Sequence, residues 1–256
     1  MVMDELLRWQ QEITARSGAR IAAIPVNTSA DGNLLTIPPA FPGREFVRSL
    51  LADPGFVAQL IRADALTVNW QQPAGSAPSF HFILLHMARA AEWPEGQPDA
   101  VLAHELGHIW LHAEGYRSLP YTQELGCAAT HAGDIVQHQL IRPELRRRDL
   151  SAYDALWTQR QDRWLAAPQP DPTALDRCAR MQLLSACCDA LLGYTDEEWP
   201  GRAAWLTTVR RLYGSIAAMA DSLRDAFSGR DLSDRSIYEW ALARSLAACL
   251  AVGALE

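Results

Sequence analysis

His104-Glu105-Leu106-Gly107-His108 sets two imidazoles four residues apart, with a carboxylate next to the first. On a helix, positions i and i+4 share a face, so both rings can direct a nitrogen at one cation. Zinc accepts neutral imidazole and carboxylate ligands, and a catalytic zinc keeps one position open for water. Glu105 borders the same site, where a carboxylate can take a proton from that water. The spacing predicts zinc as cofactor, His104 and His108 as metal ligands, and Glu105 as the general base of a hydrolysis.

A third protein ligand has to come from outside this helix turn. His112, Glu114, Glu124, His131 and His138 are the downstream candidates. His112 shares the side of His104 but lies about 12 Å along the axis, so it is expected to line the pocket or support catalysis. Glu114 should face elsewhere. Glu124 is the leading ligand: it follows a loop containing Gly115 and Pro120 that lets the chain double back. The residues after it are small (Gly126, Cys127, Ala128, Ala129, Ala132, Gly133), which permits close helix approach. The competing reading of Glu124 is an exposed first-turn carboxylate favoured by the helix dipole. His131, on the Glu124 face, is expected to contact substrate, stabilise an oxyanion, or replace Glu124. Asp134 is placed to orient a ligand histidine. His138 is expected to lie beyond reach, and Tyr116 and Tyr121 are further oxyanion donors.

The elements that must position these residues follow from periodicity and punctuation. Apolar spacing over 4–17 fits an amphipathic helix ending at Gly18, and residues 21–26 read as a strand whose Pro25 suggests an edge. A Gly/Pro-rich loop over 27–43 holds a brief extended piece near Leu34–Ile37. Two short helices divide at Asp53-Pro54-Gly55. Leu66–Trp70 is a second strand and 71–79 a loop. Phe80–Trp93 fits a helix better, through Phe82, Leu85, His86 and Arg89, with a third strand at Phe80–Leu84 as the alternative. After a break at 94–98 comes the metal-site helix, about 99–114, with Gly115 as its stop. A helix is expected over 122–140, with Pro143 interrupting it shortly after. The run Arg146-Arg147-Arg148 reads as a solvated helix face, with a contact to an acidic partner as the sharper alternative. Ala166–Pro172 is the most linker-like stretch. Beyond it the chain reads as helices over 173–192, about 202–227 and from 234 onward.

The expected fold class is α+β, predominantly helical: a minimal zincin-like core with a small sheet beside the metal-site helix, plus a helical C-terminal unit. The expected division is residues 1–165 for the core and 171–256 for the C-terminal subdomain. A chain of 256 residues, 49% hydrophobic and 21% charged, supports a sizeable core. Its formal charge of -7 disfavours a direct nucleic-acid partner. No stretch reaches the roughly 20 apolar residues of a membrane span, and no basic-then-apolar leader is visible. Five scattered cysteines (Cys127, Cys178, Cys187, Cys188, Cys249) read as buried free thiols in a reducing, cytoplasmic setting. Oligomeric state is not specified by any feature.

The run from His104 to His112, with its Leu111-His112 close, followed by a loop and Glu124 opening an Ala-rich helix, resembles the ImmA/IrrE family of zinc metallopeptidases. The resemblance covers residues 60–145 and implies a downstream Glu as third ligand and a minimal thermolysin-like core. It also implies a bacterial or phage context in which members cleave repressors or regulators. The family's Glu-Ala-Asn element is here Glu124-Leu125-Gly126, and no N-terminal helix-turn-helix is evident. Three functions follow: a metallopeptidase on a peptide or protein, a zinc enzyme acting on a small molecule, or a non-catalytic regulatory protein retaining the fold. For peptides, Val68-Asn69-Trp70 is the expected edge for strand addition.

Overall fold

The computed structural model describes residues 2–28, 35–70, 79–90, 97–122 and 124–255. Most of the expected 71–79 loop and of the 94–98 break lies outside them. The chain is predominantly helical with a small open sheet beside the metal-site helix and a set of C-terminal helices. It divides into two compact units: Met1–Gly115 with Leu145–Tyr153, and Tyr116–Glu144 with Asp154–Glu256. The Pro-rich stretch 166–172 falls inside the second unit. No described helix is long and apolar enough to cross a membrane.

The first unit is built on strands β1 (Arg20–Thr28), β2 (Leu35–Thr36), β3 (Ala65–Trp70) and β4 (Phe80–His86), in the order β2-β1-β4-β3. β1 runs parallel to β4, and β3 runs antiparallel to β4 at the edge. Pro25 lies opposite Leu85 in the β1–β4 register, and β2 meets β1 only at Asn27 and Thr28. β4 corrects the helical expectation for Phe80–Trp93. It is flanked on both sides and buried at six of its seven positions, so Phe80-His81-Phe82-Ile83-Leu84-Leu85-His86 shows no apolar/polar alternation between its two faces. Such a run carries no alternation to separate it from a buried helix. Only Met87–Ala90 beyond it is helical (α4).

Helices α1 (Val2–Ser17), α2 (Arg44–Leu51) and α3 (Pro54–Arg62) complete the frame. Asp53 caps α3 by accepting from the amides of Gly55 and Phe56. One sheet face carries an aromatic cluster in which Trp70 stacks on Phe46 and Phe82. The other face receives α5 (Gln97–Ala113), which is buried nearly all round through Ala100, Val101, Ala103, Leu106, Gly107, Ile109 and Leu111. Gly115, at φ 87°, ends it in a conformation that favours glycine. Arg146 and Arg147 are exposed, in line with a solvated face, whereas Arg148 pairs with Glu5 and Glu12 of α1 and lies over the Trp9 ring.

The second unit is helical. α6 (Cys127–Arg147) starts later than expected and continues through Pro143. α7 (Ala152–Ala166) follows, then α8 (Arg177–Leu192), capped by Asp176 through the amide of Ala179. The single helix expected over 202–227 is two, α9 (Arg202–Leu212) and α10 (Gly214–Phe227), divided at Tyr213. Tyr213 leaves helical geometry there, and its hydroxyl donates to the carbonyl of Pro170. α11 (Arg235–Gly253) closes the chain. Trp199, Trp205 and Tyr238 are fully buried in this core. Cys127 and Cys178 form a disulfide joining the starts of α6 and α8, which corrects the reading of five free thiols. The pair removes the argument for a reducing compartment drawn from cysteine count.

Candidate functional site

α5 presents the motif as its spacing requires. The Nε2 atoms of His104 and His108 lie 3.3 Å apart, with the rings at 82°. Two nitrogens bound at about 2.0–2.1 Å in a tetrahedral set stand about 3.3 Å apart, so this pair fits two ligand positions on one zinc-sized ion. His104 and Glu105 are buried, and His108 is half-buried. Tyr153 lies flat against His104, with centroids 4.0 Å apart at 22°, and fixes its ring plane.

Glu105 turns toward the sheet. Its Oε2 accepts from the Thr67 hydroxyl at 2.7 Å, and the same hydroxyl lies 3.3 Å from the Glu105 carbonyl. Thr67 is on β3, the edge strand. The general-base candidate is thereby tied to the strand whose outer side has no described partner. Sequence reasoning marked Glu105 but missed Thr67 and Tyr153. Nothing in their spacing reveals them, because both meet the motif through tertiary contact.

The remaining sequence candidates take distinct places. Glu114 accepts from the Trp110 indole and pairs with Arg16, facing away as expected. His112 stands edge-on to His81 of β4. In the second unit, Glu124 is exposed in the turn before α6. His131 Nδ1 lies 3.5 Å from Asp134, and Tyr116 donates its hydroxyl to the carbonyl of Ser233.

His138 is the most elaborately supported histidine of that unit. Asp189 of α8 accepts from its Nδ1 at 3.0 Å, and Asp134 lies 3.9 Å from its Nε2. Asp189 also receives Arg142 at 2.8 Å, and Arg142 in turn lies over the Tyr194 ring. Burial opposes a charged His138, but the Asp189 carboxylate outweighs it and raises the ring's basicity. Burial likewise opposes the Asp189 charge, which Arg142 and His138 more than offset, so its carboxyl stays below the usual range. A carboxylate on Nδ1 assigns the proton there and makes Nε2 the ligand-type nitrogen. Asp189 lies 51 residues from His138 in sequence, so no local pattern announces it.

A buried HExxH pair on a helix laid against a small sheet defines the class: a generic zincin-type metal-site architecture. No protein-family model, curated protein or solved structure matches the chain. Nothing beyond that class is assigned by likeness.

Proposed function

We propose that the protein is a zinc-dependent metallopeptidase. The observation that carries this reading is Glu105, held by the edge-strand residue Thr67 beside two convergent imidazoles. His104 and His108 supply two ligand nitrogens for one ion, and the motif needs a third donor from elsewhere in the chain. We assign His138 as third ligand in preference to Glu124, because His138 is buried and oriented by Asp189 whereas Glu124 is exposed. Three neutral imidazoles leave one position of a tetrahedral zinc for water, the pattern of a catalytic rather than a structural site. Bound zinc supplies Lewis acidity toward water and toward a carbonyl oxygen.

The chain's own residues do the rest. Glu105 takes a proton from the attacking water and passes it to the leaving amine nitrogen, and Thr67 keeps the carboxylate pointed at its task. The Tyr153 hydroxyl, carried on a ring stacked against His104, is the donor we assign to the oxyanion. β3 offers its open side to an extended peptide, which would add as a further antiparallel or parallel strand.

The test is Glu105→Gln measured against a peptide library, with metal content determined in parallel. Wild type should cleave a subset of peptides and carry zinc. The variant should keep its zinc and lose about 10²–10⁴ in rate. Equal cleavage by both forms, or no cleavage by zinc-loaded wild type, overturns the peptidase reading.

A further inference from the structure

The sheet face that carries Thr67 also carries a second histidine pair. His81 on β4 is 3% exposed, and its Nδ1 lies 2.5 Å from Oδ1 of Asn69, its partner across the β3–β4 ladder. An amide oxygen on Nδ1 places the ring proton there and leaves the lone pair on Nε2. Nε2 is buried and meets no hydrogen-bond partner among the described residues. His112, on the last turn of α5, stands at 75° to His81 with ring centroids 5.3 Å apart, and its Nδ1 is likewise buried without a partner. The motif pair, His104 and His108, shows nearly the same relation, 82° and 5.0 Å.

Both rings line a pocket of about 250 Å³ shared with Ser17, Asn69 and Ser79. Both unpartnered nitrogens belong to residues that line this one pocket, and a buried polar atom without a partner calls for one. Burial, and then the neighbouring His112, push His81 down to about 4, and burial lowers His112 as well. Among the described residues no carboxylate or thiolate lines the pocket, which disfavours calcium and magnesium and leaves the imidazole-binding metals.

We propose that His81 Nε2 and His112 Nδ1 are ligands of a second metal site, taking a divalent transition-metal ion of the zinc or copper class. Solvent or a small exogenous ligand completes the coordination. Asn69 is a positioning residue that fixes the His81 tautomer, the role second ligand-bonded groups play in established metal sites. The inference does not depend on the peptidase reading.

The full chain, stripped with a chelator, is titrated with Zn²⁺ alone under equilibrium dialysis. Wild type should bind about two equivalents, and His81→Gln and His112→Ala one fewer each. His104→Ala should lose the other equivalent and keep this one. Asn69→Ala should weaken this site alone, by about 10- to 100-fold. A wild type binding only the equivalent that His104→Ala removes overturns the proposal, as do His81→Gln and His112→Ala proteins with undiminished stoichiometry. Should those variants fold poorly, imidazole ¹⁵N spectra of wild type decide. Zinc should move the His81 Nε2 resonance off its lone-pair position, and an unmoved resonance, as a bridging water would give, rejects the site.

Discussion

His138 and Glu124 are the two completions of the motif that differ most in how they are held. A histidine whose Nδ1 is engaged by a buried carboxylate is pre-set to offer Nε2, and its rotamer is held by the same contact. Glu124, exposed in a turn, would have to be ordered when the ion binds. His138→Ala is therefore expected to abolish stoichiometric zinc at the motif, while Glu124→Ala retains it. Metal analysis after dialysis against a weak chelator reads both, and the reverse pattern restores Glu124. The sequence favoured the carboxylate because the loop with Gly115 and Pro120 and the small residues after Glu124 let it approach the motif, and because His138 stood too far along its helix. The Asp189 contact that singles out His138 is a pairing of α6 with α8, invisible to any local window.

Among the elements, the sheet shows why strands of equal chemistry were unequally legible. β3 was found because Leu66-Thr67-Val68-Asn69-Trp70 is β-branched and aromatic between clear breaks, whereas β4 was read as a helix because burial on both faces erased its alternation. α5 was located within about two residues, since its motif, small apolar approach and Gly115 stop agree. The break at Tyr213 had no Gly-Pro signal before it and was missed. The aromatic face of the sheet depends on a close approach that only glycine permits. Gly43 has φ 78°, and a Cβ there would meet the Phe82 ring at 2.6 Å and the Trp70 ring at 2.9 Å. Gly43→Ala combines an unfavourable left-handed residue with overpacking against two rings that are themselves stacked. A loss of about 2–4 kcal/mol in urea unfolding is expected, and an unchanged midpoint would show that the rings yield freely.

At the scale of the whole chain, the cysteines report on compartment and stability together. The Cys127–Cys178 bridge joins two residues of the second unit and closes a loop of 51 residues, worth about 4 kcal/mol by chain entropy. Intact mass under non-reducing denaturation should be about 2 Da below the fully reduced value, and Cys127→Ala/Cys178→Ala should lose most of that stability. A full-thiol mass from freshly isolated protein would reject the bridge. Cys187, Cys188 and Cys249 are buried and free. Burial pushes the Cys249 thiol up to about 12, with the Asp134 carboxylate adding to it. A thiol raised in the folded state keeps its proton there and releases it on unfolding. The folded chain then binds more protons than the unfolded one between about pH 9 and 12, and stability falls as pH rises through that window at about 1.4 kcal/mol per unit for each such thiol. Below pH 9 the thiols contribute no slope. Urea titrations of chelator-treated protein from pH 7 to 10.5 should be flat at first and then decline, and Cys249→Ala should decline less steeply by about one thiol's share. Thiol reagents at pH 8 should find these three cysteines unreactive until the chain unfolds, and rapid labelling of native protein would mean that the helical core is open to solvent where α8 and α11 bury them.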